Sequence, residues 1–183
     1  MPSVMPSRIP HPIQRVALCN GIALGSVKEW DFLFSFYVNI TKKEEERGSR
    51  LIPAMCCSKE PWILNRFMAY VVTVNPNPFN KTNVIEAVAA SEVGQYVAKD
   101  FLLNNWAAVW ERYGPESVDA LVWVIGRTVS TDLQVMELQW FLESVLEEHQ
   151  KIAAHAKLQA IKTENLKNKE RIARMTEWLW KNT

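Results

Sequence analysis

Residues 91–113 read SEVGQYVAKDFLLNNWAAVWERY, and this stretch decides the fold class. Val93, Val97 and Phe101 follow at four-residue steps, and Leu102, Trp106 and Trp110 form a second row beside them. Side chains four apart lie above one another on an α-helix, so the two rows make one wide apolar face and predict a deeply packed helix over 92–113. Ser91 stands where a cap would restart the chain, and Gly114-Pro115 ends the pattern.

The same period runs outward on both sides. Toward the start it predicts helices over Ile13–Leu24 and Lys28–Val38, the second placing Trp30, Phe34 and Tyr37 or Val38 on one face. A polar run, Lys42–Arg50, leads into Leu51–Cys57, and Ser58-Lys-Glu-Pro61 reads as the cap and first turn of a helix over Trp62–Val72. Asn75-Pro-Asn-Pro-Phe-Asn80 is the longest loop signal, because each proline lacks a donor and disfavours the helical region for the residue before it. Asn83 with Glu86 can cap the next helix reciprocally. Beyond Pro115 the pattern gives a short helix over Glu116–Val129, a capping box at Thr131 and Gln134 before a helix over Leu133–Glu148, and a charged helical tail from Lys151. Only six glycines interrupt the chain and no strand pattern occurs, so the class is all-α. Helices of this length joined by short turns predict antiparallel pairs stacked as a superhelix of the armadillo/HEAT kind. Residues 1–12 are expected to be an unstructured or atypical, proline-rich start, and 13–183 to form a single helical domain.

With 183 residues, 48% hydrophobic and 22% charged, and eight tryptophans, the chain can bury a sizeable core and has no disordered signature. A net charge of +1 leaves no basic surplus to neutralise phosphates, so nucleic acid is excluded as a partner. The opening residues have no apolar signal core and no long apolar run follows, so neither signal nor membrane anchor is expected within this chain. Cys19, Cys56 and Cys57 are too few for a cysteine zinc site, and their odd count leaves room for one disulfide and one free thiol.

Chemistry is harder to find. A zinc peptidase needs two histidines one helical turn apart and a glutamate to activate water, and no HExxH is present. His11 sits in the proline-rich start, while His149 and His155 are six apart on a charged helix and read as solvated surface. Cys56 and Cys57 have no histidine near in sequence to activate them. Gly21 and Gly25 lack the lysine-serine partner of a phosphate loop and read as a turn. The charge run Lys42–Arg47 reads as a solvated face. Trp106, Trp110, Trp123 and Trp140 fall in amphipathic patterns and are expected in the core and not on a stacking platform. In the tail, Leu158, Asn165, Ile172 and Leu179 repeat at seven with Ile161, Asn168 and Met175 between them. The two asparagines weaken any zipper, so this seam is expected to pack on the protein's own helices, with a partner helix as the alternative. Two sequons, Asn39-Ile-Thr41 and Asn80-Lys-Thr82, tilt the chain toward the secretory pathway.

Several runs resemble the C-terminal domain of the aminopeptidase N family of zinc metallopeptidases, also called the endoplasmic-reticulum-aminopeptidase-like C-terminal domain. They are Cys19-Asn-Gly-Ile-Ala23, Glu29-Trp-Asp-Phe32, Cys57-Ser-Lys-Glu-Pro-Trp-Ile-Leu-Asn-Arg66, Gly94-Gln95, Lys99-Asp-Phe101 and Asn105-Trp106, in family order from about residue 14 onward. One member is nearest across Ser91–Leu103, Gly126–Leu133 and Glu147–Gln150.

The resemblance implies a disulfide between Cys19 and Cys57, leaving Cys56 as the odd thiol. Closing 37 intervening residues would stabilise the fold by roughly 3 to 4 kcal/mol in the chain-entropy model. It also implies a glycan at Asn39, with Asn80 as the second candidate, and a non-catalytic bowl that caps the peptide chamber of the catalytic domain. Folding or homodimerisation of a membrane ectoenzyme facing the extracellular side would be supported in the same way. Zinc, the GAMEN motif and HExxH belong to the parent enzyme's other parts, so this chain, expected to be a piece of such an enzyme, would be inactive alone. Gly48-Ser49 look like an insertion, and the shortened Gly114-Pro-Glu116 prevents any transfer of chamber-lining residues. The rival expectations are a stand-alone helical scaffold that binds a protein partner, and a cytosolic helical repeat protein.

Overall fold

The computed structural model describes residues 11–39, 45–74 and 83–182, and among these every regular element is helical. The helices are α1 (His11–Leu24), α2 (Val27–Val38), α3 (Glu45–Met55), α4 (Pro61–Thr73), α5 (Asn83–Ala89), α6 (Gly94–Tyr113), α7 (Val118–Gly126), α8 (Asp132–Val145) and α9 (Glu148–Asn182). A 3-10 turn, Pro115–Ser117, precedes α7. The all-α expectation holds. The chain divides into two compact units, one ending at Arg112 and one beginning at Tyr113. The loop signal at 75–80, the charge run at 42–44, the second sequon Asn80 and the side chains of His11 and Asn83 lie outside the described residues.

In the first unit α3 packs against α1, α2 and α5, and α4 against α5. Helix α2 starts at a complete capping box: the Ser26 side chain accepts from the Lys28 N–H, and the Glu29 carboxylate accepts from the Ser26 N–H at 2.6 Å. Its inward face is Trp30, Leu33 and Tyr37, while Val38 is exposed, so the apolar row ends on Tyr37. Helix α4 buries Ile63, Leu64, Phe67, Met68, Val71 and Val72. Its cap is Glu60 and not Ser58, with Pro61 in the first turn, where a missing N–H costs nothing. Ser58 is buried and its hydroxyl accepts from the Glu60 N–H at 3.3 Å, bracing the turn before the helix.

Helix α6 begins at a place only glycine fits. A Cβ on Gly94 would lie 2.1 Å from the Val88 carbonyl oxygen and 2.4 Å from the Ser91 hydroxyl, which itself accepts from the Gly94 N–H. Because the obstacle includes backbone, it cannot rotate away. Gly94→Ala is expected to lower stability by about 1 to 3 kcal/mol, read as a shift of the urea midpoint, although alanine is the better helix former. Farther along α6, Asn105 leaves helical geometry at φ −124° and ψ 22°, and its side-chain amide donates to the Phe101 carbonyl at 2.9 Å. Phe101, Leu102 and Trp106 are buried, so the two predicted rows meet the core there.

In the second unit α9 packs against α7 and α8. Helix α8 opens on the predicted box, Thr131 with Gln134, and buries Val135, Leu138 and Leu142. Trp140 is 60% exposed, which corrects its core assignment: it stands two residues from Leu138, on the far side of the helix. Trp123 is also 42% exposed, and the Arg127 guanidinium lies over its ring at 4.6 Å. The α7–α9 crossing is close at Gly126, where a Cβ would meet the Ile161 side chain at 2.2 Å. The seam of α9 runs on through Leu158, which is buried, and Asn165, which donates to the Val129 carbonyl at 2.9 Å. Over that stretch the tail packs on its own unit, as its asparagines suggested.

Candidate functional site

The runs around Cys19, Trp30 and Cys57–Arg66 converge on one knot in the first unit. Cys19 of α1 and Cys57, just after α3, are joined by a disulfide with their Cα atoms 5.3 Å apart. Next to them Trp30 is 1% exposed and its indole N–H donates to the Met55 carbonyl at 3.1 Å, satisfying an acceptor that the end of α3 leaves open. The Trp30 ring stacks on Phe34 with centroids 4.9 Å apart and meets Phe67 edge-on at 5.8 Å, while Tyr37 meets Phe67 at 5.3 Å. Arg66 of α4 lies over Trp30 at 4.9 Å and pairs with Asp31 of α2. Both members of that ion pair are solvent-accessible, so it orients the helices more than it stabilises them.

Ser26 holds the Glu29 carboxyl below its ordinary value of 4.5, first through the serine hydroxyl and then through the serine N–H. A depressed folded-state value gives a stabilising contribution that is present above the unfolded value and lost as the pH falls through the folded one. Glu29→Gln is therefore expected to destabilise the protein at neutral pH and to make its stability less sensitive to acid below 4.5. Parallel acid-side loss in both proteins would refute the assignment.

A second set of motif residues reaches the surface. Pro61, Trp62 and Asn65 of α4 face Asp100, Phe101 and Asn105 of α6 across an open groove of about 490 Å³, with Trp62 half exposed. Between α1 and α2 a groove of about 350 Å³ has an apolar floor of Ala17, Leu18, Ile22, Leu33 and Phe36. Neither brings together a nucleophile and a base.

His149 and His155 lie at the surface. His149 lies 3.5 Å from Glu147 and His155 3.8 Å from Glu143, all well exposed. Cys56 is buried, and burial pushes its thiol far up, away from the thiolate that a nucleophile or metal ligand needs. Among the described residues no three His, Cys, Asp or Glu side chains come together as a metal would require, so the donor set does not fit zinc. None of the described helices is long and apolar enough to cross a membrane. Asn39 is exposed at the end of α2, its amide donating to the Ser35 carbonyl at 2.6 Å.

Residues 3–165 match the family model described as the ERAP1-like C-terminal domain. The chain belongs to that family. It is 59% identical to aminopeptidase Q of Homo sapiens and 58% identical to that of Felis catus, in each case over 177 residues, 97% of this chain and 18% of the relative. Aminopeptidase N of Oryctolagus cuniculus is 36% identical over 143 residues, 74% of this chain and 14% of the relative. The chain thus spans less than a fifth of the length of these relatives. Aminopeptidase Q is the member toward which the runs at 91–103, 126–133 and 147–150 pointed. For an ERAP1-like C-terminal domain, the knot around Cys19, Trp30, Cys57 and Arg66 explains what the shared runs do: they lock four helices together. Trp62, Asn65 and Asp100 belong to the runs that carried the resemblance but line the open groove between α4 and α6, a placement the runs by themselves did not reveal.

Proposed function

We propose that this chain acts as the non-catalytic helical C-terminal portion of a membrane-bound zinc aminopeptidase, capping the peptide chamber of the catalytic domain and supporting the enzyme's folding or dimerisation. The observation that carries this reading is the pairing of 58–59% identity over 97% of the chain with coverage of only 18% of aminopeptidase Q. A zinc peptidase holds its water-activating metal on a cluster of His, Cys, Asp or Glu side chains, and among the described residues no three of these come together. The zinc would be held by the catalytic portion, and peptide would meet this chain only in that context. Stacking of its antiparallel helices into an armadillo/HEAT-like bowl would give the cap its concave face. Asn39 and Asn80 would carry glycans on the extracellular side.

Two measurements test this. The purified chain, loaded with zinc, is expected to release no product from an aminoacyl-naphthylamide, and turnover would overturn the reading. Substituted for the matched stretch of human aminopeptidase Q, the chain is expected to support cell-surface display of an active enzyme bearing a glycosidase-sensitive glycan at Asn39. An inactive or retained chimera would count against it.

A further inference from the structure

The seam by which α9 packs on α7 and α8 does not stop where those helices stop. Leu158 is buried, Ile161 fills the space over Gly126, Asn165 bonds to Val129, and Lys169 pairs with Asp132 at the start of α8 at 3.1 Å. Three- and four-residue steps then continue the same face as Ile172, Met175 and Leu179. Ile172 is 63% and Met175 61% exposed, with Trp178 and Trp180 beside them at 64% and 80%. A helix pays for ordering its apolar face only when something covers it, and two tryptophans flanking such a stripe are the residues that anchor protein interfaces.

We infer that the Ile172–Leu179 stripe of α9 docks on an apolar, carboxylate-bordered protein face supplied by the part of the aminopeptidase outside the matched stretch. This rests on the function proposed above. The stripe continues a seam that already packs on protein, and more than four-fifths of the relatives' length lies outside the match and can furnish the cover. Its borders are cationic: Lys169 stands on one side, and Arg171, which makes no ion pair among the described residues, on the other. Carboxylates opposite them would complement that charge, whereas a second copy docking stripe to stripe would set like charges together. A lipid-bound helix gathers its cations on the polar face, but here Glu170 and Glu177 alternate with Lys167, Arg174 and Lys181.

The test uses the aminopeptidase Q chimera and the isolated chain side by side. Ile172→Glu with Met175→Glu, and separately Arg171→Glu, are expected to cut cell-surface display of active chimera several-fold. Arg174→Glu, the same charge change on the opposite face, is expected to leave it unchanged. In the isolated chain all three are expected to leave the urea midpoint in place, because these side chains are exposed there. Equal effects of Arg171→Glu and Arg174→Glu, no effect in the chimera, or a lowered midpoint in the isolated chain would each overturn the inference. So would stripe-dependent flotation of the chain with phosphatidylcholine–phosphatidylserine vesicles, or stripe-dependent dimers in sedimentation. If the unsubstituted chimera itself fails, the proposed function falls and takes this inference with it. If only the stripe variants behave as wild type, this inference falls alone.

Discussion

Trp30→Ala is expected to destabilise the first unit by about 3 to 5 kcal/mol, the range for removing a fully buried large aromatic. The residue is 1% exposed, touches rings from α2 and α4, and donates to the last turn of α3, so one truncation loosens three helices. A loss of that size is a large part of the stability of an ordinary domain, about 5 to 15 kcal/mol. Urea unfolding followed by circular dichroism would show it as a lowered midpoint. Trp30→Phe separates the contributions. The ring contact stays while the Met55 carbonyl loses its donor, and the cost should fall to about 1 to 3 kcal/mol. A midpoint within error of wild type for Trp30→Ala would mean that the knot does not hold the unit together.

Cys19→Ser is expected to cost about 3 to 4 kcal/mol, because the disulfide joins residues at a sequence separation of 38 and removes that loop's entropy from the unfolded chain. Reductant should lower the wild-type urea midpoint by the same amount and leave the variant where it is. Cys57→Ser should match Cys19→Ser. Cys56 gives no substitute bridge while the fold persists, since it is buried and its thiolate is disfavoured. Insensitivity of the wild type to reductant would contradict a stabilising bridge.

Helix positions were legible because each depends on neighbours in sequence. The Thr131–Gln134 box, the Gly114-Pro115 stop and the apolar period of α4 are decided within a few residues, and the structure has them where the pattern put them. The errors fell where tertiary context decides. Trp140 lies in an amphipathic pattern, yet nothing local says which of two apolar rows on α8 will be covered. Ser58 looks like a cap, but its hydroxyl serves the turn before Glu60 because Pro61 fixes where the helix opens. The polar groove around Trp62 and Asp100 was invisible for the same reason, since its walls come from helices far apart in the chain.

By itself the sequence determined the all-α class, the absence of an HExxH and, through the resemblance of its runs, the family and the pairing of Cys19 with Cys57. Period, caps and motif spacing are one-dimensional properties, and each can be read along the chain. Only the tertiary structure decided that the shared runs meet around Trp30, that α9 packs through Asn165 yet leaves Ile172 and Met175 uncovered, and that the three cysteines and the histidines assemble no metal set among the described residues. Burial and convergence depend on which distant surfaces touch, and free energy assigns those contacts across the whole fold instead of within any single stretch.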